Sequence, residues 1–420
     1  MGDTDDVFAA KNRLGGIGLV RDAHPLLNEL RDQCPVHRGS VSGFFGITGP
    51  DNYFTPNDEQ HTVFDWTEVD RGFRDAVNLS SSYVGPALRQ VIGRTILEMD
   101  PPEHQRYRSL LQGAFTKKEM DRWETGFVRD MVVAQLDRLV PLGRADLAAD
   151  FAFHYPISLI AVAAGLPVEH IPEFYEQAAK LTNVAFDESE RLAASAELEA
   201  MTRAVIAERR VEPRDDLITV LLQAEVKMPD GERAQLTDDE IVDFVRLLVP
   251  AGAQTTYRTL TNLLYGLLTH PEQYELLVQD RALIPKAIEE GLRWEPPLVA
   301  FGRIATNDFE IAGQPIEAGS TVNLCVHSAN RDPSRWDDPD TFDITRPLKG
   351  HVSFGQGNHI CLGMHFARME LRVALEEIID RLPNLRLDPD AADLHISGLF
   401  ARSAIRLPCV WDPPDARMSA

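Results

Sequence analysis

The sequence predicts a mainly α-helical single domain with small β sheets beside the helical body, on three observations. Helical periodicity dominates from about Asp100 to Leu292. β-branched or alternating stretches gather near the ends, at Val36 to Tyr53, Phe301 to Val326 and Leu394 to Val410. No internal repeat, low-complexity tract or long Pro/Gly/Ser-rich linker divides the 420 residues, so one domain over 1–420 is expected, with 1–20 as a flexible N-terminus and 411–420 as a C-terminal tail.

The best-marked helix spans about Asp238 to Thr269. Thr237 with Glu240 three residues later makes a capping box, and Pro271 closes it. Apolar or small residues recur at Ile241, Phe244, Val245, Leu248, Gly252, Thr255, Thr256, Thr259, Leu260, Leu263, Leu264 and Leu267. At 1.5 Å per residue this helix is roughly 48 Å long, enough to cross the domain. Pro250 removes one N–H inside it and predicts a bend. Upstream, Asp100 is expected to N-cap a helix whose first turn holds Pro101, Pro102 and Glu103, which sets His104 and Arg108 four apart on one face. A solvated basic face would show the same spacing.

Composition excludes several classes. With 65 acidic against 42 basic side chains the net charge is −23, which argues against a nucleic-acid partner. No apolar run approaches the roughly 18–20 residues of a membrane span, and Met1 to Asp6 carries three aspartates where an export signal needs basic residues, so no membrane partner and a cytoplasmic location are expected. Cys34, Cys325, Cys361 and Cys409 are far apart and read as reduced thiols.

Chemistry concentrates in Phe354-Gly355-Gln356-Gly357-Asn358-His359-Ile360-Cys361-Leu362-Gly363, ahead of a helical pattern from Met364 to Ile379. Glycines at 355, 357 and 363 permit tight turns and close approach of a flat group, while a helix N-terminus offers free N–H donors beside a potential thiolate. On spacing alone, a buried packing cysteine fits equally well. Glu290-Gly291-Leu292-Arg293 sets an acid and a base three apart, a pair that on an ordinary solvated helix contributes about 0.2–0.5 kcal/mol.

The ten-residue string resembles the cysteine-ligand loop F-G-x-G-x-H-x-C-x-G of the cytochrome P-450 (haem-thiolate monooxygenase) family, and the likeness runs in order from about Pro25 to Val410. The resemblance implies a long central helix over a haem b, with the Cys361 thiolate as proximal iron ligand and Phe354, Gly355 and Gly363 around the cofactor. It implies haem-propionate contacts from His104 and Arg108 of the segment D-P-P-x-H-x-x-x-R, and from Arg303 and His359. Glu290, Arg293 and Arg346 match a structural triad behind the haem. Ala251-Gly252-Ala253-Gln254-Thr255-Thr256 matches the oxygen-handling segment A/G-G-x-(D/E)-T-T, with Ala251 and Gly252 leaving room for a diatomic ligand and the Thr255 hydroxyl able to donate and accept.

Gln254 departs from the pattern. An amide orients water but carries no titratable proton near neutral pH. Proton delivery by Thr255 and water alone, peroxide use, a non-oxygenating haem-thiolate rearrangement, or a non-enzymatic haem sensor or carrier stand as alternatives at this point. The resemblance places Leu97, Leu248, Leu298, Val299, Phe301 and Phe400 at the substrate pocket; their apolar character suits a hydrophobic small molecule. With no flavin or iron–sulfur motif in the chain, electrons are expected from a separate two-iron ferredoxin and a flavin-dependent ferredoxin reductase, docking near Arg106, Lys117, Lys118, Lys349 and Arg368.

Overall fold

A computed structural model of the chain describes residues 20–47, 59–85, 89–182, 187–227, 231 and 233–413. The expected flexible segment 1–20 lies outside these except for Val20, and the expected tail only from residue 414 onward. Trp411 is not tail at all. Its ring is buried and its Nε1 donates to the carbonyl of Val140 at 3.0 Å.

Helices form the body, as the periodicity predicts. Those at Arg129–Leu139, Tyr155–Ala163, Gln254–Thr269, Ile284–Trp294 and Met364–Arg381 share one continuous apolar core. Capping residues mark the starts: Thr116 accepts from the N–H of Glu119, and Asp187 and Thr237 each complete a capping box with the glutamate three residues on.

The long helix is continuous from Asp238 to Thr269, but the bend at Pro250 is resolved as a π turn, Val249–Ala253, between the α segments Asp238–Leu248 and Gln254–Thr269. Pro250 has no N–H to offer the preceding turn, so the ring of backbone atoms widens there. Asp100 is not the N-cap. The helix runs Glu103–Leu111, and the Asp100 carboxylate instead accepts from Ser81 N at 3.0 Å and Ser80 Oγ at 2.5 Å. Pro101 and Pro102 supply no N–H to a cap, so the two serines win its oxygens.

The strands sit at the margins. The largest sheet has the order Val36–Arg38, Gln60–Val63, Thr321–Cys325, Ala300–Ala305, Leu79–Ser80, with Gln60–Val63 parallel to Thr321–Cys325 and the other pairings antiparallel. Of the described part of the stretch expected to be extended, Val36 to Tyr53, only the first three residues are strand. Val41–Phe44 is a helical turn capped by Ser40, and 48–58 lie outside the described residues. Near the C-terminus, Ile396–Ser397 pairs with Ser403–Ala404, and Pro408–Val410 joins Arg144–Asp146 and Arg386–Leu387. No helix among the described residues is long and apolar enough to cross a membrane.

Candidate active site

The loop before the Met364–Arg381 helix is wound by its glycines. Gly355 and Gly357 both have φ of +66°, and a Cβ at Gly357 would lie 2.7 Å from the carbonyl oxygen of Phe73. The Cys361 N–H donates to Phe354 O at 2.8 Å, which closes the loop. Gly363 is the N-cap and provides no side-chain acceptor, so the first N–H groups of the helix stay available; nothing stands within 4 Å of where its Cβ would be. Burial raises the Cys361 thiol above its usual range, while the Gly363 N–H and the charges of Arg108 and Arg368 act the other way.

Donors from three segments converge here: His104 and Arg108 from the Glu103–Leu111 helix, Arg303 from the strand Ala300–Ala305, and His359 from the loop itself. The rings of His104 and His359 lie with centroids 4.0 Å apart, tilted at 41° to each other. Burial holds His104 down at about 4, with Arg108 acting in the same direction; burial, His104, Arg303 and Arg108 hold His359 at about 3. Both nitrogens of His104 and the Nε2 of His359 are buried without a hydrogen-bond partner. Arg303 is buried over the Phe73 ring, and burial lowers both it and Arg108. Among the described residues no carboxylate pairs with either guanidinium, and three imidazole nitrogens stand unpartnered at the same place. The two carboxylates of a flat macrocycle seated on the cysteine loop supply anionic acceptors for them, so the residues fit a haem.

Behind the loop, Glu290 takes two bonds of 2.7 Å from Arg293, one from the Asp343 N–H at 2.9 Å and a longer contact from Arg346 at 3.5 Å. Arg293 also donates to the carbonyls of Asn330, Pro339 and Thr341. The expected triad is thus assembled, and Arg346 is its third member through both the contact with Glu290 and shared carbonyls such as that of Thr341.

On the long helix, Thr255 Oγ1 donates to Ala251 O at 2.6 Å across the π turn, and Ala251 is exposed. The missing Cβ of Gly252 would point at the side-chain end of Ile160, 3.3 Å away, so its smallness also lets the long helix pack on Tyr155–Ala163. Gln254 is held by Arg258, whose Nη1 donates to the amide oxygen at 3.0 Å and to the backbone carbonyl at 2.9 Å.

Of the proposed pocket residues, Leu97 and Phe400 are exposed at 40% and 52%, and Leu248, Leu298 and Phe301 are partly buried. Leu298 bridges Ala401, and the Val299 N–H donates to Phe400 O, which brings together segments 100 residues apart in the chain. Val299 itself is 1% exposed among Val20, Ala23, Leu27 and Leu399, and is core rather than pocket wall. Two members of the suggested docking patch are already neutralised: Arg106 by Glu240 at 2.6 Å, and Arg368 by Glu289 through bonds of 2.6 and 2.8 Å.

Sequence reasoning missed two buried polar centres. Glu370 is buried on the Met364–Arg381 helix and accepts from Thr256 Oγ1 at 3.3 Å; burial raises it well above the carboxylate range. The signal was an acid on the same face as Phe366 and Val373. Glu295 is buried among Arg402 at 2.5 Å, His24 at 2.9 Å, Arg331 at 3.3 Å and His327 at 3.7 Å. It ties the N-terminal helix to the C-terminal hairpin, and its partners are too distant in sequence for any local pattern to reveal.

Comparison with known proteins agrees with this architecture. Residues 171–393 match the family model described as Cytochrome P450. Nocardicin C N-oxygenase of Nocardia uniformis subsp. tsuyamanensis is 37% identical over 76% of this chain and 79% of its own length. Mycinamicin IV hydroxylase/epoxidase of Micromonospora griseorubida is 35% identical over 75% of this chain and 79% of its own. The crystal structure of CYP109E1 from Bacillus megaterium in complex with testosterone superposes with a TM-score of 0.82 at 30% identity, covering 93% of this chain and 99% of that one. The helical body, the glycine-wound cysteine loop and these relatives agree: the chain belongs to the cytochrome P450 family and is a monooxygenase of that family.

Proposed function

We propose that this monooxygenase inserts one oxygen atom of O2 into a hydrophobic small molecule, with Cys361 as the proximal iron ligand of a haem b. The carrying observation is the set of unpartnered buried nitrogens of His104 and His359, with Arg108 and Arg303, beside the Cys361 loop. When bound, the haem supplies oxygen activation and electron transfer at iron. The chain's part is to hold and to orient. His104, Arg108, Arg303 and His359 bind the two propionates with charge-assisted hydrogen bonds. Phe354, Gly355 and Gly363 leave a flat face above the sulfur, and Glu290, Arg293 and Arg346 brace the loop from behind.

Oxygen insertion consumes two electrons and two protons: substrate and O2 give hydroxylated or epoxidised product and one water. Thr255 Oγ1 has one proton to donate and two lone pairs to accept, and Gln254 positions water without itself losing a proton. The electrons come from a separate two-iron ferredoxin reduced by a flavin-dependent ferredoxin reductase, with Lys117 and Lys118 as the contact residues to test. Leu97, Leu248, Leu298, Phe301 and Phe400 are the apolar side chains proposed to face the substrate.

The deciding experiment is the absorption spectrum of the reduced, carbon monoxide-saturated protein beside Cys361→Ala. A strongly red-shifted haem band that vanishes in the variant is expected. A folded, haem-loaded wild type without that band would overturn the assignment of Cys361. A peroxide-driven route has one observation in its favour, the amide at position 254; equal product yield from hydrogen peroxide and from the ferredoxin chain would establish it.

A further inference from the structure

Arg258 is a buried cation without a counter-ion. It is 4% exposed, its Nε has no hydrogen-bond partner, and among the described residues it forms no ion pair with a carboxylate. Its guanidinium lies 4.6 Å from the centroid of the Tyr257 ring. Among the described residues its one side-chain acceptor is the Gln254 amide, through the 3.0 Å bond one helical turn away. A side chain that does nothing but donate can meet an amide only at its oxygen, so the orientation of Gln254 follows from the chemistry of its partner.

We propose that Arg258 is a positioning residue for proton delivery: by capturing the Gln254 amide oxygen it turns the amide N–H2 away from itself, and makes position 254 a fixed hydrogen-bond donor beside Thr255. This rests on the oxygen-activating function proposed above and deepens it. The Thr255 hydroxyl donates its proton to Ala251 O in this structure, which leaves its lone pairs to accept. A pinned amide N–H2 on the preceding residue can serve them through a bridging water, since neighbouring helix side chains do not face each other directly.

The same geometry bears on the simplest repair of the sequence. Gln254→Glu would not restore a proton relay, because a carboxylate at 254 followed by Arg258 at i+4 forms a favourable helical ion pair next to a cation that lacks one. The glutamate would stay ionised. Only in Gln254→Glu/Arg258→Met would the carboxyl lose its partner and, half-buried, take up a proton at a higher pH than in the single variant. The neighbouring charges are few: Arg258 on the same helix, Tyr257 with its hydroxyl bonded to Ser403, and Glu370, which faces Thr256. Glu370 is unchanged in every variant and cancels in differences.

The test is an infrared difference measurement of protonated carboxyl groups at about pH 5 on the haem-loaded protein, each variant against its Gln254 parent. Gln254→Glu is expected to add no such band, and Gln254→Glu/Arg258→Met to add one. A thermal melt gives an independent readout: Gln254→Glu raises Tm by about 1–2 °C, and the gain disappears when Arg258 is Met. A new band in Gln254→Glu alone, or an equal Tm change in both backgrounds, would overturn the proposal.

A second arm reads turnover. Arg258→Met is expected to lower product formed per NADH consumed at least twofold with Arg258→Lys recovering part of it, since lysine keeps the charge and a donor. Because Met replaces an unpaired buried charge, the variant is not expected to fold less well. Undiminished coupling in Arg258→Met overturns the positioning role. If wild type itself yields no oxygenated product, the proposed function fails, while the infrared and thermal arms still test the pairing.

Discussion

Glu290→Gln tests the buried pair at the end of the Ile284–Trp294 helix. Glu290 and Arg293 are 5% and 2% exposed, and the two bonds between them are both 2.7 Å. The amide keeps one oxygen for the Asp343 N–H or for Arg293, but sets an N–H2 group against the guanidinium and removes the charge that pairs with it. Arg293 then stays ionised, buried and partly unpaired, while its bonds to the carbonyls of Asn330, Pro339 and Thr341 persist. Breaking one side of such a pair costs about 3–5 kcal/mol. With an unfolding entropy of about 2.1 cal/mol/K per residue, 420 residues give about 0.9 kcal/mol/K, so Tm should fall by about 3–6 °C. The assay is calorimetry of the haem-loaded protein, with Glu290→Leu/Arg293→Met beside it. The double variant should regain part of the loss, because it leaves no charge stranded at Arg293. A single variant within 1 °C of wild type, or a double variant worse than the single, would refute the reasoning.

Other consequences follow from buried titratable groups and from the loop. His327 is fully buried and held at about 3, mainly by burial, with Glu295 opposing the shift. The unfolded chain therefore takes its proton first, below 6.5, and stability falls with pH from there toward 3; one such group loses about 2 kcal/mol between pH 6.5 and 5. His327→Gln should flatten the Tm profile in that window, and an unchanged slope would exclude His327 as its source. Glu370 shows the opposite sign. Its folded carboxyl is raised by burial, so stability is complete below 4.5 and declines as pH rises; Glu370→Gln should gain at least about 1 kcal/mol at pH 8 and nothing at pH 4 in urea titrations. Gly357→Ala combines a left-handed φ with a backbone contact at 2.7 Å, and should cost at least about 2 kcal/mol and lower the haem retained per chain. Full haem content in that variant would show that the loop tolerates a side chain there.

The chain's own order of residues determined much of this protein. Local signals suffice where partners are neighbours: Thr237 and Glu240 define a helix start, Pro250 a disruption, and Gly355 and Gly357 a loop that turns only with left-handed residues. The cysteine loop is legible because every fixed position lies within ten residues. Tertiary structure decided what each element faces. Gly252 looks like space for a ligand in the sequence and is also a packing contact with Ile160 in the fold; Asp100 looks like a cap and is an anchor for Ser80 and Ser81. Val299 and Phe400 are both apolar and lie side by side through the backbone, yet one is core and the other exposed. Glu295 gathers His24, His327, Arg331 and Arg402 from across the chain. The physical reason is common to these cases. Periodicity and capping report on hydrogen bonds within one turn, whereas burial and charge compensation depend on which distant segment arrives opposite. Arg258 combines both: its bond to Gln254 is local and follows from i+4 spacing, but that no acid comes to meet it is known only once the surrounding elements are in place.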